Sequence, residues 1–134
     1  MAPIAFINGY VSLTGTNLSA YCKQIGLDID VADLDTTTFG SGGSRERIGG
    51  LKDGSLSLTF NQDITGLDAV MWPLIGQVVT FEVRATQAAV GAGNPKYTGS
   101  VLVAGWTPLD GKVGALLEVS VDFPVSGPVT RATS

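Results

Sequence analysis

Apolar and small polar residues alternate with period two along much of this chain, and that alternation limits the fold more than any other feature. Ser55-Leu56-Ser57-Leu58-Thr59-Phe60-Asn61 puts Leu56, Leu58 and Phe60 on one face and Ser57, Thr59 and Asn61 on the other. A strand buried on one side reads this way. Val79, Phe81 and Val83 alternate with Thr80, Glu82 and Arg84, and Leu117, Val119, Val121 and Phe123 with Glu118, Ser120 and Asp122. Tyr97 to Trp106 alternates again with both faces partly apolar, which predicts a central or doubly covered strand. Ile4–Ile7 and Tyr10–Leu13 flank Asn8-Gly9, a pair that tolerates positive φ and predicts a hairpin.

Ile25, Leu27, Ile29 and Val31 form an aliphatic face, with Asp28 and Asp30 on the opposite one. Asp33 and Asp35 then fall on the aliphatic phase, which predicts a strand end or bulge near Ala32. Pro124 and Pro128 mark residues 124–134 as an irregular C-terminal tail.

One segment has a different period. Leu67, Val70, Met71, Leu74 and Ile75 share one helical face, so about two turns of helix are expected, capped at Thr65 and stopped at Gly76. Pro73 prevents a longer helix. A short turn is expected over Leu18–Lys23, entered through Asn17 or Ser19. Two long glycine-rich loops remain, FGSGGSRERIGG at 39–50 and ATQAAVGAGNP at 85–95, of the kind that is functional or orders on contact. The chain of 134 residues is therefore expected to be one mainly β domain, a sandwich or barrel-like core with one short α-helix.

The search for chemistry returns little. The chain has no His, which removes the usual general base and zinc ligand, and its one Cys, Cys22, excludes an internal disulfide. Cys22 reads as a small half-buried hydrophobe. The spacing of Asp28, Asp30, Asp33 and Asp35 does not fit a calcium loop. The 40–47 loop lacks the Lys-Ser/Thr ending of a phosphate-binding loop. Trp72 and Trp106 sit in contexts that read as packed. No catalytic, cofactor or metal site is expected, and no run is long and apolar enough for a membrane span. The N-terminal stretch does not read as a signal peptide.

The formal net charge is −4, and −3 of it arises before residue 36, where Lys23 stands against Asp28, Asp30, Asp33 and Asp35. A chain of this sign does not hold nucleic acid through a basic face. Arg45-Glu46-Arg47, between Phe39 and Ile48 on the glycine-rich loop, reads as a docking element.

MAPIAFINGYVSL, GGLKDGSLSLTFNQD at 49–63, WPLIGQVVTFEVR at 72–84, NPKYTGSVLVAGWTPLDGKVG at 94–114 and the closing EVSVDFPVSGPVTRATS follow one another in an order that resembles the short major tail proteins of long-tailed phages. That resemblance implies a structural virion protein, assembled in the host cytoplasm into stacked, usually hexameric rings around a DNA-conducting lumen. It implies no enzyme activity, and as partners other copies of the chain and the tape measure and tail terminator proteins. Under it, Asp28 and Asp30 are lumen-facing acids, and 39–50 is a flexible inter-subunit arm carrying Phe39, Arg45, Glu46, Arg47 and Ile48. DNA then passes without specific binding. Two other readings stay open, a capsid decoration protein and a carbohydrate-binding module.

Overall fold

The computed structural model describes residues 3–134, so Met1 and Ala2 of the opening stretch lie outside the described residues. In chain order the strands are β1 (Tyr10–Leu13), β2 (Thr16–Asn17), β3 (Cys22–Asp35), β4 (Arg47–Asn61), β5 (Val78–Arg84), β6 (Lys96–Leu102), β7 (Glu118–Pro124) and β8 (Thr130–Ala132). One short helix, α1 (Leu67–Met71), lies between β4 and β5. Five strands form a sheet in the order β2-β1-β5-β6-β8, and three form a second in the order β3-β4-β7. All pairings are antiparallel.

The alternating residues decide how the sheets meet. Leu56, Leu58 and Phe60 of β4 and Phe123 of β7 turn inward from the small sheet. Val11, Leu13, Phe81, Val83 and Val101 do so from the large one, and all are buried in one cluster. Each such side chain contributes about 1.5–3 kcal/mol by leaving water. Leu67 and Met71 bring α1 into the same cluster. Trp106 stands edge-on to Phe60, with ring centres 6.2 Å apart and planes at 61°. The fold is mainly β with one short helix, as the periodicity predicts.

Several local expectations are corrected. Asn8-Gly9 makes no hairpin, because residues 4–9 form no strand. Phe6 folds back so far that a Cβ on Gly9 would lie 2.5 Å from its ring. The two-residue turn is Thr14-Gly15, with φ of +52° and +81°, between the paired Leu13 and Thr16. A left-handed pair of this kind matches the twist of a tight hairpin.

Thr65 does not cap the helix, whose N-cap position is Gly66 without a side-chain cap, and Asp63 instead ties the turn that leads into it. Asp63 Oδ1 accepts from the amides of Thr65 and Gly66 and from the Thr65 hydroxyl at 3.0–3.1 Å. Those bonds, the Gly66 amide first, hold the Asp63 carboxyl below its ordinary value. After α1 the chain tightens into a 3-10 turn at Trp72–Leu74, where Pro73 is tolerated, and Gly76 leaves it at φ +84°. Trp72 is 61% exposed rather than packed. The turn after Asn17 forms but is shorter than expected, since Cys22 and Lys23 already open β3: Asn17 Oδ1 accepts from the Ser19 amide at 2.9 Å, and Tyr21 N–H donates to Leu18 O at 3.1 Å.

β6 stops at Leu102, short of the expected Trp106, whose indole N–H instead donates to Asp68 Oδ1 at 2.8 Å. The 124–134 tail is not irregular throughout. Val125 bridges to Val101, and β8 pairs with β6. The 85–95 loop is organised by its own residue Asn94, which is buried. Asn94 Nδ2 donates to the carbonyls of Thr86, Ala88 and Ala89, and its Oδ1 accepts from the Thr86 amide.

Candidate functional site

The three-stranded sheet turns one face to the core and the other outward, and register decides what the outer face carries. Leu27 is paired with Leu56, so even-numbered residues of β3 share the outer face with odd-numbered residues of β4. Asp28 lies opposite Ser55, Asp30 opposite Asp53, and Gly26 opposite Ser57, which in turn faces Asp122 of β7. Thr59 and Ser120 continue the face, and their hydroxyls are 3.2 Å apart.

The result is a surface of small side chains crossed by four exposed carboxylates, Asp28, Asp30, Asp53 and Asp122. Asp28 and Asp30 were expected on such a face. Asp53 and Asp122 join them through pairing across strands, which period alone does not reveal. At one end Lys23 meets Glu118 at 2.6 Å, so that cation is matched by its own carboxylate.

β3 and β4 continue well past the sandwich. β7 pairs with β4 only over Ser55–Asn61, which leaves Arg47–Gly54 and the facing half of β3 as a two-stranded projection. The ladder shifts register between Val31 and Asp33, where Gly50 and Leu51 stand against Ala32 alone. This is the irregularity predicted near Ala32, with the extra residue on the partner strand. Residues 47–50, expected within a loop, are therefore strand, and the turn proper is shorter.

The tip is well tied. Thr38 Oγ1 accepts from Gly40 N–H at 3.2 Å, Ser41 Oγ accepts from Thr38 N–H at 3.0 Å, and Gly42 and Gly43 follow at positive φ. Thr37 Oγ1 accepts from Glu46 N–H at 2.8 Å. Arg45 pairs with Asp35 at 2.9 Å and Arg47 with Asp33 at 3.2 Å, so both guanidiniums meet acids of their own hairpin. The Thr37 hydroxyl and amide, with Arg45, hold the Asp35 carboxyl below its ordinary value. Phe39 at the tip is fully exposed, and Ile48 opposite Leu34 is exposed as well.

Elsewhere the chemistry is sparse. Cys22 is half-buried, and burial pushes its thiol up, away from the reactive thiolate. Among the described residues no three His, Cys, Asp or Glu side chains stand close enough to hold a metal ion. No helix among them is long and apolar enough to cross a membrane.

No family model and no curated protein matches the chain. Solved structures do. A chain in the tail of an empty gene transfer agent particle with C6 symmetry matches over 92% of both chains, with a TM-score of 0.65 and 17% identity. The two chains share a fold. A chain in the virion of the native gene transfer agent particle also matches, with a TM-score of 0.65 and 15% identity over 84% of this chain and 85% of that one.

Proposed function

We propose that this chain is a structural virion protein, the repeating subunit of a phage-type tail tube. One observation carries the reading: its fold is shared over 92% of both chains with a chain of a C6-symmetric tail. The small sheet supports it further. In the order β3-β4-β7, the outer edges of β3 and β7 have no strand partner among the described residues. Six copies joined through those edges close a barrel of about 18 strands, which at a strand spacing of about 4.8 Å is wide enough to leave an open channel.

The acidic face then lines that channel. Asp28, Asp30, Asp53 and Asp122 repel phosphates, and the small residues between them offer DNA nothing to grip, so it passes without specific binding. The hairpin tip is the arm. Phe39 and Ile48 are its apolar contacts on a neighbouring copy, and Arg45, Glu46 and Arg47 are its charged ones. The tape measure and tail terminator proteins are the further partners. The subunit works by repetition in the tail, after assembly in the host cytoplasm, and needs no catalytic site.

Negative-stain electron microscopy of the purified protein over a rising concentration series tests this reading. Tubes of stacked rings are expected, and deletion of residues 41–47 is expected to abolish them. A particle that stays monomeric throughout, or that binds preformed heads as a decoration protein does, contradicts it.

A further inference from the structure

The core-facing side of the hairpin projection is left without an opposing sheet. Where β3 and β4 outrun β7 they keep the core pattern but lose the opposing sheet, so Ile29 and Val31 are 47% and 50% exposed. With Leu51, Lys52 and the crossing segment Val125–Val129 they line a groove of 670 Å³. At the opposite end of β7 lies the 103–117 connection, whose Leu109 and Val113 are 73% and 103% exposed, with Leu116 also exposed.

Groove and loop thus stand at opposite ends of one seven-residue strand, about 20 Å apart. A knob and a hole at opposite poles make a head-to-tail contact, which repeats without closing on a two-fold axis.

We propose that the 103–117 loop of one copy seats Leu109, Val113 and Leu116 in this groove of the next. This rests on the tube-subunit reading for why copies repeat. Charge selects the occupant. Lys52 and its neighbour Asp53 line the groove, while Asp110 lies beside Leu109 and Lys112 follows on the same loop, so each side carries one charge of each sign. None of the four takes part in an ion pair among the described residues. Two further exposed apolar stretches, Pro3–Ile7 and Trp72–Val78, carry no acid to meet Lys52, and Phe6 is already packed on Gly9. Seating the loop covers both apolar surfaces and joins Asp110 to Lys52 at the rim.

The test is disulfide trapping in a Cys22→Ser background. Leu51→Cys with Val113→Cys is expected to give, on oxidation, a ladder of species beyond the dimer on non-reducing gels, while either substitution alone gives no ladder. Tubes without a ladder overturn the docking and leave the tube reading intact. A ladder without tubes supports the docking and counts against the tube. A ladder from Leu51→Cys with Ile7→Cys instead places the N-terminal segment in the groove and overturns the proposal. Should the cysteine variants fail to fold, a charge swap decides. Asp110→Lys or Lys52→Asp alone is expected to raise the concentration needed for assembly about fivefold, and the double variant to restore it. No restoration overturns the proposal.

Discussion

Asp30 of β3 stands directly across the ladder from Asp53 of β4, and both are exposed on the outer face of the small sheet. Like charges directly opposite each other weaken a sheet by about 0.2–1 kcal/mol. The isolated subunit therefore carries a local cost, which the proposed lumen surface accounts for. Asp53→Asn keeps the acceptor for the Gly54 amide, 2.8 Å away, and removes the repulsion. It is expected to raise unfolding stability by about 0.5 kcal/mol in urea titration. Added salt is expected to stabilise the wild type more than this variant.

Phe60 is fully buried and joins the two halves of the core, pairing edge-on with Trp106 while Trp106 is tied to Asp68. Phe60→Ala leaves a cavity and removes the aromatic contact. The expected loss is about 3–5 kcal/mol, read from the urea midpoint at constant slope.

Asn94 holds the 85–95 loop by four hydrogen bonds from a buried position. Asn94→Ala leaves three carbonyls and one amide without that partner. The expected cost is about 1–3 kcal/mol. Hydrogen exchange at the Thr86 amide is expected to quicken while exchange in β4 stays slow.

Asp63 and Asp35 link stability to acid. Both carboxyls are held below the ordinary value of 3.8, Asp63 first by the Gly66 amide and Asp35 first by the Thr37 hydroxyl. Their folded pKa values are depressed, so their contributions are complete above the unfolded value. They vanish as pH falls below 3.8 through the folded values. Asp63→Asn is expected to lower the melting temperature near neutrality, to flatten its fall with acid in that window, and to converge with the wild type at the acid end. Calorimetry across the window checks this.

The strands of this protein are legible where one face is buried and the other wet. β4, β5 and β7 show their phase in the residues themselves, and the broken phase at Asp33 marks the bulge near Ala32. Thr14 illustrates the opposite case. Its φ of +52° is imposed by the pairing of Leu13 with Thr16, and nothing in a threonine announces it. β8 has three residues and exists because β6 offers an edge, so its signal is tertiary. The same holds for the site. Asp28 and Asp30 were visible as an alternating acid pair, whereas Asp53 and Asp122 joined them only once β3, β4 and β7 were in register. Arg45 and Arg47 were legible as a charged tip, but their Asp35 and Asp33 partners required the hairpin to close.

The most direct measurement is an image reconstruction of the assembled particle at a resolution that separates strands. The account predicts rings of six, with β3 of one copy edge to edge with β7 of the next and Asp28, Asp30, Asp53 and Asp122 facing the lumen. Rings with that face turned outward, or a closed two-fold dimer in place of rings, would contradict it.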